Sequence, residues 1–281
     1  MTRVENLVTL AERMLRDYDI HDPGTAFAEG LDLSIAEAYG VQGHVAHLRE
    51  ARGEWLAGYK IGCVCRGNQR RHGLSHPVYG RLWSTEQYSD DVTLSPDDFA
   101  NLAIEGEFAV TLRHDIEPGD ASISIIAAAV DRVFTVIELH NLVLRSDSRG
   151  PELIANNAIH AGVIRSSGTT PPATATCTDL SVECDGRTVG CWSGRRWPDD
   201  VLQEVPWLVG ELDKAGLRLR RGHTILTGAW GPPLPLAGRP STADTEPPLA
   251  RDDLADEDPQ EVGRVEVVST MFGSVAASFS R

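Results

Sequence analysis

In the first fifty residues, apolar side chains return every three or four positions, with Leu7, Leu10, Ala11, Met14 and Leu15 forming one stripe. That spacing predicts an amphipathic helix. Ser34-Ile-Ala-Glu37 announces a second, since serine and glutamate three apart can satisfy each other's orphan backbone N–H groups. This helix should run on through Tyr39, Val41, Val45 and Leu48. The pattern changes at residues 55–62, a short apolar run bounded by glycine, which reads as a buried strand. Beyond it the chain is strand-rich. Residues 104–112 and 132–139 alternate as strands do, and a helix is expected at 121–130 between them. Another helix is expected over 200–215, capped by Gly216, with Pro206 implying a kink or a late start. Strands follow at 224–229, 263–268 and 273–279. The proline-rich, acidic stretch 239–261 is too polar to pack and too long for a turn, so it reads as an inserted, mobile surface loop, either plainly disordered or serving as a lid. The organisation predicted is a mainly helical part over 1–75 and a β-rich domain over 76–281.

With 281 residues, 41% of them hydrophobic and 24% charged, the chain can bury a substantial core. Its formal net charge of −15 argues against nucleic acid as a partner, because phosphate binding needs a basic surface. The five cysteines form no regular framework and read as reduced thiols. The amino terminus lacks the basic start and apolar block of a signal peptide, and no run approaches the roughly 20 apolar residues of a membrane span. A soluble, cytoplasmic protein is expected.

Glu105 and Glu107, two apart on a predicted strand, point to the same face. Two carboxylates aimed together repel unless a cation lies between them, and Mg²⁺ or Mn²⁺ is the natural occupant. A solvated strand face would explain the same pair. Glu138 adds weight, because it interrupts an apolar strand where an unpaired carboxylate is expensive. If its strand lay beside the first, three carboxylates could share one ion. Lys60 sits in the apolar run 56–61, where it either reaches water or is held by negative charge as a proton carrier or carboxylate anchor.

A set of ordered landmarks joins these residues: Ser34-Ile-Ala-Glu-Ala-Tyr-Gly-Val-Gln42, Ala57-Gly-Tyr-Lys-Ile-Gly62, Ile104-Glu-Gly-Glu-Phe-Ala109, Glu138, Ala155-Asn-Asn-Ala158, Ile225-Leu-Thr-Gly-Ala229 with Gly231-Pro232, and Gly273-Ser-Val-Ala-Ala277. Together they resemble the 2-keto-4-pentenoate hydratase and 4-oxalocrotonate decarboxylase branch of the fumarylacetoacetate hydrolase superfamily. The resemblance spans nearly the whole chain. It implies an α+β fold, with a mixed β-roll-like catalytic domain behind a smaller helical amino-terminal part, in a homo-oligomer. It further implies that Glu105, Glu107 and Glu138 bind the metal and that Lys60 is the active-site lysine. Asn157, Thr227 and Gly228 would then line the substrate pocket, and the partner would be a small 2-oxo carboxylate.

Several positions depart from that pattern. Val78 stands where the hydratases carry an aspartate, Ala103 replaces an arginine, Asn141, Leu142 and Val143 replace aspartate, serine and arginine, and Ile159 replaces a serine. These losses suggest a larger or less polar substrate, such as a specialised biosynthetic intermediate, or a reaction needing only enolisation: decarboxylation, isomerisation, dehydration or cyclisation. His72, His76, His140 and His160 are each read as ordinary surface or structural histidines, although any of them could replace a lost acid. Trp230 reads equally as pocket wall or core. A metal-dependent lyase is the leading expectation. A C–C bond hydrolase of the acylpyruvate type is the alternative, which would need a histidine paired with an acid such as Glu37, Glu50 or Glu54. A non-catalytic binding or oligomeric partner is the third.

Overall fold

The computed structural model describes residues 3–145, 149–236 and 263–280; the acidic stretch at 239–261 lies outside them. Its helices are α1 (Arg3–Asp19), α2 (Thr25–Ala28), α3 (Ile35–Ala51), α4 (Arg66–Arg71), α5 (Ile123–Ala129), α6 (Gly150–Ala155) and α7 (Val205–Lys214). The strands are β1 (Leu56–Gly62), β2 (Val78–Trp83), β3 (Gln87–Ser89), β4 (Val92–Leu94), β5 (Leu102–Leu112), β6 (Val130–Asn141) and β7 (His160–Arg165). They continue with β8 (Thr176–Cys184), β9 (Arg187–Trp197), β10 (Thr224–Leu226), β11 (Leu234–Pro235), β12 (Arg264–Ser269) and β13 (Gly273–Phe279).

The Ser34–Glu37 capping box forms as the sequence predicts, and it fixes where α3 begins. Ala11 and Met14 of α1 and Ala38 and Val41 of α3 pack with Leu153 and Ile154 of α6 into a small core of their own. Pro206 falls in the first turn of α7, so of the two outcomes open for 200–215 the helix takes the late start.

An eight-stranded mixed sheet runs β2-β1-β10-β5-β6-β7-β3, with β11 added to β5. A second sheet, β4-β13-β12-β8-β9, packs against it. This is the α+β architecture expected, and the division at residue 75 falls between β1 and β2, which are neighbours in one sheet. The β8–β9 hairpin went unread in the sequence because β9 is mostly exposed and carries little apolar alternation.

Strand parity decides where the chemistry goes. Ile104, Phe108, Ile137 and Leu139 belong to the main core together with Val182 and Val267 of the second sheet. Glu105, Glu107, Glu138 and His140 alternate with them and therefore face the other way. Gly106 is the point of closest approach between the sheets: a Cβ there would lie 2.5 Å from Val182 Cγ2 and 3.1 Å from Val267 Cγ2. No helix among the described residues is long and apolar enough to cross a membrane.

Gly106→Ala should therefore push the two sheets apart at the residue between Glu105 and Glu107. An overpacking cost of about 1–3 kcal/mol in denaturant unfolding is expected. A variant as stable as wild type would show that the sheets have slack at this point.

Candidate metal and proton-transfer site

Glu105 on β5 lies opposite Glu138 on β6 in the antiparallel register, and Glu107 is opposite Val136. The adjacency left open by the sequence is thus supplied by a β5–β6 pairing that runs eleven residues down β5. An irregularity between Leu139 and His140 in the β6–β7 pairing brings His140 opposite His160. One face of three adjacent strands consequently carries three carboxylates and two imidazoles. Glu107, Glu138, His140 and His160 are all at most 2% exposed, while 15% of the Glu105 side chain remains accessible.

Lys60 reaches this face from β1, which pairs with β10, the neighbour of β5. Its Nζ lies 3.0 Å from Glu138 Oε1 and donates to the carbonyl of Ala158 at 3.2 Å. His160 Nδ1 also meets Glu138 Oε1, at 2.7 Å. On the other side of that carboxylate, Glu138 Oε2 is 3.3 Å from His140 Nε2, which lies 3.1 Å from Glu105 Oε2. Glu107 is held separately. Its Oε2 accepts from the Gly228 backbone N–H at 2.6 Å.

The electrostatics follow from burial. Burial disfavours charge on Lys60, yet Glu138, Glu105 and Glu107 outweigh it and hold the ammonium above its usual range. Burial likewise opposes charge on Glu138, but Lys60, His140 and His160 keep its carboxyl well below the usual range. Glu107 has no such support. Burial first, and the neighbouring Glu138 charge second, push its carboxyl well above the ordinary value. His140 is desolvated too, but Glu138 and Glu105 raise its affinity for a proton.

The turn that receives Lys60 is unusual in its backbone. Asn157, Ala158 and Ile159 have φ of 54°, 52° and 56°, left-handed values that β-branched residues in particular avoid. The Asn157 side chain holds the turn by accepting from the Arg81 N–H at 2.7 Å and donating to the Arg81 carbonyl at 2.8 Å. Gly80 permits the approach, since a Cβ there would stand 2.5 Å from the Asn157 carbonyl oxygen. Thr227 donates its hydroxyl to the Phe108 carbonyl at 3.0 Å, fixing the turn whose next N–H grips Glu107. Asn157, Thr227 and Gly228, expected as pocket residues, therefore all carry hydrogen bonds that shape this site.

Behind His160 is a further buried layer. Glu86 Oε2 lies 4.0 Å from His160 Nε2, while Glu86 Oε1 receives Tyr18 Oη at 2.7 Å and Arg49 at 2.6 Å. Arg49 also pairs with Glu54 at 2.6 Å. This layer, built from α1 and α3, stops 4.0 Å short of the imidazole, and neither Glu86 Oε2 nor His160 Nε2 has a hydrogen-bond partner.

His140 and His160, read from the sequence as ordinary histidines that could replace a lost acid, both stand in the cluster. For His140 a signal existed, since Glu138-Leu-His140 has the same two-residue spacing as Glu105-Gly-Glu107. His160 opens β7, and nothing in the sequence gives the register that sets it against Glu138. His72 and His76 lie elsewhere, one ending α4 and the other stacked on Trp207.

The donor set suits a divalent cation. Three carboxyl groups face a single lysine, and Glu107 Oε1 and both His140 nitrogens are buried with no hydrogen-bond partner. Buried polar atoms are rarely left this way, and a cation among them would satisfy several together. Glu105, Glu138 and His140 offer atoms that all lie within 4.8 Å of one another.

The fold defines the class. The structure aligns over 100% of its length with 4-oxalocrotonate decarboxylase from Pseudomonas putida G7 complexed with magnesium and adipate, covering 99% of that chain at 22% identity and a TM-score of 0.78. A fumarylpyruvate hydrolase from Pseudomonas aeruginosa in complex with Mn²⁺ and pyruvate is a more distant match, covering 79% of this chain and 88% of that one at 14% identity and a TM-score of 0.51. The fold is thus shared with these proteins. In sequence the chain is similar to 2-keto-4-pentenoate hydratases and 4-oxalocrotonate decarboxylases. It is 27% identical to the TodF product hydratase of Pseudomonas putida over 212 residues, 74% of this chain and 78% of that protein. It is 24% identical to 4-oxalocrotonate decarboxylase of Pseudomonas sp. over 83% of this chain and 90% of that protein. No family model matches the chain.

Glu107 provides a test in the metal-free protein. Its folded-state pKa is raised, so its favourable contribution is full at low pH and is lost as pH rises above the ordinary carboxylate range. Glu107→Gln supplies an amide donor without a titrating proton. With chelator present, its stability relative to wild type should rise as the pH is taken from 4 to 8. Equal pH dependence of unfolding in the two proteins would mean that Glu107 is ionised without a metal.

Proposed function

We propose that this chain is a metal-dependent lyase of the hydratase or decarboxylase type, acting through an enolate on a small 2-oxo or 2-hydroxy-dienoic carboxylate. The observation that carries this reading is the register of Glu105 against Glu138 with Lys60 3.0 Å from the latter. The ion would lie within the cluster of Glu105, Glu107, Glu138 and His140, which supplies its ligands. When bound, a divalent cation supplies Lewis-acid stabilisation of the negative charge that develops on a 2-oxo group.

The chain's own residues then divide the work. Lys60 is charged because three carboxylates surround it. Lys60 Nζ is the group placed to give up and recover a proton, and a cation held by those carboxylates would weaken the support for its charge. The Ala158 carbonyl keeps the amine oriented while it does so. His160 holds Glu138 in place, and Glu107 is clamped by Gly228. The fully buried Val78 and the flanking apolar residues exclude water around the lysine, which strengthens each of these interactions. The same apolar surroundings favour a substrate less polar than a simple pentadienoate, with a specialised biosynthetic intermediate as one source of it.

The hydrolase reading ranks second. Of the acids considered for it, Glu37 caps α3 and Glu54 is paired with Arg49 and Arg52. His140 does stand beside Glu105, but both belong to the ion-holding cluster. A non-catalytic role ranks lower, since buried polar atoms without partners are costly to keep in a scaffold with nothing to bind.

Two measurements check the proposal. Mg²⁺ or Mn²⁺ should raise the melting temperature of chelator-stripped protein, by an amount that Glu105→Ala removes. The loaded enzyme should also exchange the C3 protons of pyruvate for deuterium, and Lys60→Met should slow this by about 10²-fold or more. Exchange that survives the lysine substitution takes Lys60 out of the proton path. No metal-induced stabilisation in wild type ends the enzymatic reading.

A further inference from the structure

We infer that the ion at this centre is held by two carboxylates and one imidazole, Glu105, Glu138 and His140, and that His140 biases the site toward Fe²⁺, Co²⁺ or Zn²⁺ over Mg²⁺. The inference rests on the metal-dependent reading above and specifies its donor set.

Three features of the geometry support it. First, Glu138 Oε1 is already occupied by Lys60 at 3.0 Å and His160 at 2.7 Å, which leaves Oε2 as its free oxygen. That oxygen faces His140. Second, His140 Nε2 lies 3.3 Å from it and 3.1 Å from Glu105 Oε2, yet forms a hydrogen bond with neither. A ring nitrogen this close to two carboxylate oxygens, and hydrogen-bonded to neither, completes with them a compact triangle of donor atoms. Donors bound about 2.1 Å from a common ion sit roughly 3 Å apart at neighbouring vertices, which matches these spacings. Third, Glu107 stands outside the trio, with Oε2 bound to Gly228, so the compact set contains nitrogen where a third carboxylate was expected.

Nitrogen changes the preference. Mg²⁺ favours oxygen donors and keeps its waters, whereas imidazole is a good ligand for the later first-row ions. Almost any mixed site binds Co²⁺ more tightly than Mn²⁺, so the ranking alone proves little. The informative quantity is how that ranking changes when His140 is removed.

The test uses the full chain, stripped by chelator and titrated calorimetrically with Mg²⁺, Co²⁺ or Zn²⁺, as wild type and as His140→Leu. Loss of the imidazole should weaken Co²⁺ and Zn²⁺ by at least about tenfold and Mg²⁺ by less than about threefold. In the wild type loaded with Mn²⁺, pulsed electron paramagnetic resonance should detect coupling to an imidazole nitrogen, a readout that needs no variant and stands even if His140→Leu fails to fold. Absence of that coupling, or equal weakening of all three ions, overturns the inference. Tight Mg²⁺ binding without nitrogen coupling sinks this donor set alone. Failure to bind any divalent ion removes the metal-dependent reading with it.

Discussion

Everything around the site answers one constraint, the burial of Glu138 as a charged carboxylate in the middle of a sheet. A lone carboxylate at 1% exposure would take up a proton instead of staying ionised. The fold prevents this with groups from separate elements. Lys60 arrives from β1 and His160 from β7, both on Oε1, while His140 approaches Oε2. None of these is close to Glu138 in the chain except His140, so the carboxylate's charge depends on the tertiary structure being complete. The charge and the fold are therefore coupled in both directions. Loss of Glu138 would strand a buried lysine, and loss of Lys60 would strand a buried acid.

The backbone around Lys60 carries a cost for the same reason. Three consecutive left-handed residues without glycine are unfavourable, and they persist only where surrounding contacts fix them. Here the fixing groups are identifiable: the Asn157 amide spans the N–H and carbonyl of Arg81, and Gly80 leaves room for the Asn157 carbonyl. The turn presents the Ala158 carbonyl to Lys60, a neutral acceptor that orients the amine without adding charge. An acid in that place would hold the proton more tightly and oppose its transfer. Asn157 thus acts on the lysine through backbone geometry, two bonds removed from the chemistry.

Much of this was legible before any coordinates, and what was not has a physical explanation. Alternation along residues 104–112 put Glu105 and Glu107 on one face because a strand's period is a local property. The oddity of an acid in the apolar run that ends at Leu139, and of a lysine at position 60, was local too. Their meeting was not. It depends on β5 pairing with β6 in one register and on β10, distant in sequence, lying between β1 and β5. The family resemblance supplied that adjacency in place of the physics. The resemblance also drew attention to the carboxylates and away from His140, whose spacing from Glu138 carried the same local signal as the glutamate pair. The β8–β9 hairpin was lost for a different reason, since a strand with so much exposed surface leaves little hydrophobic pattern to read.

The departures from the family pattern make sense once the histidines are placed. On β2, Val78 replaces an acid and is fully buried, and it pairs with Gly62 at the end of the strand that carries Lys60. Polarity has left that side of the lysine. On β6 and β7 the reverse holds, where two buried imidazoles stand beside Glu138 and one of them lies 4.0 Å from Glu86, the partner of Tyr18 and Arg49. The polar groups of the site thus lie on the β6–β7 side of Glu138. Lys60 touches Glu138 directly, so its charge rests on that carboxylate whatever residue stands at position 78. Under the proposed function, polar groups placed on one side of the lysine would decide where a proton is delivered to an enolate and leave the way the enolate forms unchanged.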